Sequence, residues 1–186
     1  MNWNNHSNLE GKHAFLSASN YHWLNYDEDR LKSNWLNHQA IERGTKLHDL
    51  ARRCIELGIS LPRGKKTLNN YVNDALAYRM KPEQVLYYSD NCFGTADSIC
   101  FRNNQLRIHD LKTGVTPADM RQLEIYAALF CMEYGYKPND IKIELRIYQN
   151  NDVITEVPEA KDIVQVIKKI MDSDTIIKNL KEQYFD

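Results

Sequence analysis

The stretch that most restricts the fold is "GTADSICFRNNQLRIHDLKTG", residues 94–114, in which two β-prone runs flank Asn103 and Asn104. Adjacent asparagines tolerate positive φ at both central positions of a two-residue turn, so the segment predicts an antiparallel hairpin whose register is set by that turn. In that register Asp97 lies directly across from Asp110. Opposed side chains have Cβ atoms roughly 4.5 to 5.5 Å apart, and like charges in that relation repel, so something must offset the pair. Alternation puts Asp97, Ile99, Phe101, Leu106, Ile108, Asp110 and Lys112 on one face, apolar near the turn and charged at the open end. Two carboxylates and an ammonium at the edge of an apolar face suit a divalent cation held by oxygens, with a lysine beside the reacting group.

A chain of 186 residues fits one domain, residues 1–186, with a sizeable core. Apolar residues make up 42% and no run approaches the roughly 18 needed to span a membrane, so no membrane partner is expected. The start "MNWNNHSNLEGKH" lacks a signal peptide's apolar region, which points to a cytoplasmic, intracellular protein. Cys54, Cys92, Cys100 and Cys131 form no C-x-x-C pair, so neither a zinc ribbon nor a disulfide framework is indicated. A net charge of −1 argues against wholesale electrostatic binding of nucleic acid. Locally, however, Arg43, Lys46, Arg52, Arg53, Arg63, Lys65 and Lys66 outnumber the acids between residues 36 and 66.

The pattern along the chain predicts a short helix over 17–26 capped by Ser19, a long helix over 35–57 ended by Gly58, and a helix over 67–80. Strands follow over 84–89, 92–101 and 106–112, then a helix over 117–134 with Pro117 at its start. A strand over 140–149, reached through that crossover helix, pairs in parallel with 106–112, and an amphipathic helix covers 159–184. The class is α/β: a mixed central sheet flanked by helices, with its core over about 36–150.

His48 sits in the long helix within "RGTKLHDLA", close to Gly44, whose cost inside a helix suggests close approach of a backbone or ligand. Gln122 and Tyr126 are one turn apart on the crossover helix, on a face different from that of Leu123, Ala127 and Phe130. In chain order these parts read G-T-x-x-H, G-T-A-D, D-L-K-T-G and Q-x-x-x-Y. Together they resemble the RecB-type branch of the PD-(D/E)xK nuclease superfamily, including phage-encoded RecB-like exonucleases and CRISPR-associated exonucleases. The resemblance covers roughly residues 40–149, and "FLSASNYHWL" is similar to the start of phage-type members.

The resemblance implies a restriction-endonuclease-like core. It implies that His48, Asp97, Asp110 and the carbonyl of Leu111 bind Mg²⁺ or Mn²⁺, and that Lys112 stabilises the attacking water or the charged transition state. Gln122 and Tyr126 would touch substrate or orient the site, and Thr113, Arg43 and Arg52 complete the expected substrate contacts. Asp110 stands where many relatives have Glu. The iron–sulfur members carry three cysteines after the Q-x-x-x-Y helix; none follows Cys131 here, so no iron–sulfur cluster is expected. The chain has no phosphate-binding G-x-x-x-x-G-K-[ST] loop, so any motor is a separate chain. The expected function is metal-dependent exonucleolytic hydrolysis of DNA in phage or prophage recombination, replication or repair, with phage recombination or replication proteins as partners. The alternatives are a structure-specific endonuclease on the same fold and a catalytically idle DNA- or protein-binding module.

Overall fold

A computed structural model describes residues 4–185. The chain divides into two compact units, one ending at Thr45 and the other beginning at Lys46. Short 3₁₀ turns (Ser7–Leu9 and Tyr21–Asn25) in the first precede helix α1 (Glu28–Glu56), whose residues from Lys46 onward belong to the second. Asp27 caps α1 by accepting the Arg30 N–H at 2.8 Å, and Glu28 and Asp29 sit in the first turn, where the helix dipole favours carboxylates. That cap explains why α1 begins before residue 35. The helix expected over 17–26 is only the turn Tyr21–Asn25, preceded by Asn20 rather than capped by Ser19. Its Trp23 indole N–H donates to the Ser17 carbonyl at 2.9 Å, tying it to the preceding chain.

The second unit is α/β. Its sheet runs in the order β1 (Lys81–Ser89), β2 (Cys92–Arg102), β3 (Gln105–Leu111), β4 (Lys142–Gln149), β5 (Asp152–Glu156). Only β3 and β4 are parallel, as the crossover through α3 (Arg121–Tyr134) demands. On one face Leu106, Ile108, Leu145 and Ile147 pack with Leu123 and Ala127 of α3 and Ile163 of α4 (Ala160–Phe185). On the other, Cys100, Leu111 and Tyr148 pack with Cys54 of α1 and with Tyr71, Val72 and Ala75 of α2 (Thr67–Ala77). Both faces are covered, yet β3 and β4 still alternate, because the α2 side accommodates the polar groups of His109 and Arg146 between its apolar residues. No helix among the described residues is long and apolar enough to cross a membrane.

Asn103 and Asn104 both have positive φ, 50° and 59°, and the β2–β3 ladder has the expected register. It ends at the pair Ser98–His109, so Asp97 and Asp110 occupy the next level, where the strands part. Strand β5 is an addition to the expected sheet. It returns from β4 through Asn150 and Asn151, which have positive φ of 52° and 63°. Helix α3 starts at Arg121, later than the residue 117 expected. The cause is Gln149, only 5% exposed, whose amide donates to the Gly114 and Thr116 carbonyls and accepts the Ala118 N–H. These bonds hold the backbone of that loop away from helical pairing, and Asp119 then accepts the Arg121 N–H at 2.9 Å.

A buried polar chain crosses the α2 side of the sheet. Tyr148 donates its hydroxyl proton to Asp74 Oδ2 at 2.6 Å and lies 3.3 Å from His109 Nδ1. His109 Nδ1–H therefore donates to Tyr148, and Nε2, which has no hydrogen-bond partner, is left as a bare acceptor. Burial, reinforced by the charges of Arg146 and Arg107, pushes the His109 pKa down to about 3.

Candidate active site

Three adjacent strands and two helices bring the candidate residues together. Helix α1 presents His48, whose Nδ1 lies 3.4 Å from Asp97 Oδ2 at the end of the β2–β3 ladder. The same Asp97 oxygen accepts the Leu111 N–H at 2.9 Å, so a side chain takes over where the backbone ladder stops. Leu111, the last residue of β3, is buried. Asp110 is 2% exposed; Lys112 Nζ donates to its Oδ1 at 3.2 Å and lies 3.0 Å from Oδ2. That second contact lacks hydrogen-bond alignment, so Oδ2 is a buried carboxylate oxygen with an ammonium beside it and no hydrogen bond.

The helix motif completes the chain. Lys112 Nζ donates to Gln122 Oε1 at 2.7 Å, and Gln122 Nε2 donates to Tyr126 Oη at 3.0 Å. Gln122 and Tyr126 thus hold the lysine side chain in place. Tyr126 in turn rests on β2 where no side chain intervenes: a Cβ built on Gly94 would lie 2.9 Å from Tyr126 Cε1. This close approach gives the glycine of G-T-A-D its physical meaning. Gly94→Ala should displace the Tyr126 ring and loosen Lys112. The expected result is a fall in kcat of about tenfold with KM and melting temperature little changed, and unaltered kcat would refute it.

Sequence reasoning missed Glu83. It lies in β1 between the pairs Pro82–Ser98 and Gln84–Ala96, level with Asp97. Glu83, Asp97 and Asp110 therefore occupy one level on three successive strands. Glu83 has φ of 49°, a left-handed conformation that a carboxylate-bearing residue adopts at an energetic cost. Donor atoms of His48, Glu83 and Asp97 all lie within 4.8 Å of one another.

The electrostatics agree with a cation-accepting cluster. Burial, and then the charge of Asp97, raises both Asp110 and Glu83 above the ordinary carboxylate range. The hydrogen-bonding contact with Asp97 raises His48, against the opposing effect of its burial. Opposite ligands of an octahedral Mg²⁺ stand about 4.2 Å apart, twice the metal–oxygen distance, so these donors close on such an ion with small movements. Carboxylate oxygens suit Mg²⁺ or Mn²⁺, and an imidazole nitrogen beside them favours the softer Mn²⁺ of the two.

Other expected residues do not join this cluster. Thr113 is exposed beyond the end of β3. Arg43 is exposed on the first unit. Arg52 spends its guanidinium on Asp49 at 2.7 Å and Glu56 at 2.8 Å within α1. Cys54, Cys100 and Cys131 are buried, and burial pushes the Cys131 thiol up to about 11. No family model, curated protein or solved structure matches the chain.

Glu83→Gln tests the added donor. The amount of Mn²⁺ needed to raise the melting temperature halfway should increase by about tenfold or more. The metal-free protein should melt at or above the wild type, because a like charge beside Asp97 is gone. An unchanged Mn²⁺ requirement would remove Glu83 from the site.

Proposed function

We propose that this chain is a Mg²⁺- or Mn²⁺-dependent DNA exonuclease of the RecB-type PD-(D/E)xK class, acting inside the cell in phage or prophage recombination, replication or repair. The observation that carries the reading is the convergence of His48, Asp97, Asp110 and Lys112 at the open end of one hairpin, with an Asp110 oxygen left without a hydrogen bond. His48, Glu83 and Asp97 would hold the cation, with Asp110 and the Leu111 carbonyl as the further donors implied by the resemblance. When bound, the ion would supply Lewis-acid chemistry: a water made nucleophilic at neutral pH and an offset to the negative charge on the oxygens of the pentacoordinate transition state.

The chain's own groups do the rest. Lys112, fixed between Asp110 and Gln122, offers an ammonium N–H to the attacking water or to a phosphate oxygen as negative charge grows there. Because Gln122 is itself held by Tyr126, the ammonium is already oriented when substrate arrives, so little ordering remains for the reaction step. The basic stretch with Arg63, Lys65 and Lys66 supplies charge for the DNA backbone.

The deciding experiment incubates the protein with Mn²⁺ and end-labelled linear DNA beside covalently closed circular DNA of the same sequence. Degradation of the linear form alone supports the exonuclease. Cutting of circles makes it an endonuclease, and no metal-dependent cleavage of either leaves a binding module.

A further inference from the structure

Away from this site, a groove of about 680 Å³ runs between α3 and α4. Its lining on α4 extends from Asp162 to Ile177, about 22 Å at 1.5 Å per residue, which is the length of a four-turn helix. The floor is apolar: Met120, Ile125, Val166, Ile170 and Ile177, of which Ile125 is 42% exposed and Ile177 36%. An apolar floor left open to water over that length marks an interaction surface.

The rim specifies the charge of the occupant. Asp119 pairs with Arg121 at 3.8 Å, and Asp174 with Lys178 at 2.8 Å. Glu124, Glu156 and Asp162 crowd one end of the groove and have no ion-pair partner among the described residues. Burial, and then the charges of Glu156 and Asp162, holds the Glu124 carboxyl above its ordinary range, with nearby Arg121 offsetting them only in part. On the opposing side Lys169 is the one further cation of the lining. A nucleic acid or an acidic peptide would meet repulsion here. A basic helix would place Leu, Ile or Met side chains at i, i+3, i+4 and i+7 on the floor and its Lys or Arg residues against the three carboxylates.

We propose that the α3–α4 groove docks a basic amphipathic helix of a partner protein. The inference rests on no part of the nuclease reading. The two surfaces share α3, however: Glu124 and Ile125 face the groove, and Gln122 and Tyr126 on the same helix hold Lys112.

The test uses the full chain and a fluorescein-labelled 16-residue peptide of Leu and Lys arranged for an amphipathic helix, read by fluorescence anisotropy. The comparison probe has the same composition in scrambled order. The expected result is at least about tenfold tighter binding of the amphipathic peptide, and a loss of about tenfold on either Asp162→Lys or Ile177→Lys, both at exposed or half-exposed positions. Circular dichroism confirms that each variant is folded, and Glu156→Lys replaces any that is not. Equal binding of the scrambled peptide, or affinity unmoved by the groove variants, overturns the proposal. A wild-type dimer that Ile177→Lys dissociates, with no peptide bound, also overturns it, because the groove then belongs to a second copy.

Discussion

Replacing Asp110 by Asn, or Lys112 by Ala, should lower Mn²⁺-dependent DNA cleavage by at least about a hundredfold while the protein stays folded. Removing one preorganised charge-stabilising donor from an active site costs about 10² to 10³ in rate. Asp110→Asn keeps the shape of a buried side chain and deletes its charge. Lys112→Ala keeps the carboxylate and deletes its ammonium. Neither truncates the apolar core; Asp110→Asn should melt within a few degrees of the wild type, and Lys112→Ala lower, because it leaves the buried Asp110 carboxylate without its ion-pair partner. Cleavage near wild-type rates in either variant would end the nuclease assignment, whereas loss of the folded signal in both would show only that the pair is structural. Asp97→Asn tells these apart, since the Leu111 N–H can still donate to its amide oxygen and preserve the strand end.

The second large effect concerns acid. His109 is held neutral in the folded protein with a pKa near 3, whereas an unfolded histidine titrates near 6.5. As pH falls the unfolded chain takes up that proton first, so stability present at pH 7 is lost progressively below about pH 6.5 and the loss levels off near pH 3. At about 1.36 kcal/mol per tenfold difference in proton affinity, the limit is about 5 kcal/mol, a large part of the 5 to 15 kcal/mol typical of a domain. Urea unfolding of the wild type at pH 7, 5.5 and 4 should show midpoints falling steeply. His109→Asn keeps a donor near the Nδ1 position toward Tyr148 and cannot titrate, so it should flatten that fall while being less stable at pH 7. A fall no flatter in His109→Asn than in the wild type would mean that water reaches the ring, whatever the opposing contributions of the raised Asp110, Glu83 and His48.

Hairpin register was readable because its cause is local. Asn103 and Asn104 adopt positive φ, and every pair from Arg102–Gln105 to Ser98–His109 follows from that turn. The same signature at Asn150 and Asn151 went unread because β5 is a short edge strand whose residues are mostly exposed, so its apolar alternation is faint. Glu83 was hidden for a different reason. A plain two-residue turn at Asp90 and Asn91 would bring Gln84, not Glu83, level with Asp97; an irregularity between Tyr87 and Ser89 shifts the register by one. No composition rule announces a bulge, and the shift decides which side chain reaches the cluster. The late start of α3 was equally hidden, because the polar groups that hold its preceding loop come from Gln149 at the end of another strand.

Glu83, Asp97 and Asp110 share one level on three neighbouring strands, and neighbouring strands lie about 4.8 Å apart whatever connects them. The spacing of these carboxylates is consequently set by the ladder that ends one pair away and by the Leu111 N–H that Asp97 accepts, not by the length of a loop. Added residues at Asn103–Asn104 leave it alone as long as the ladder reforms. A single residue inserted within β2 between Asp97 and the turn would rotate Asp97 to the opposite side of the sheet. Inheritance can thus lengthen and recolour the loops around this centre freely, while one insertion inside a strand silences it.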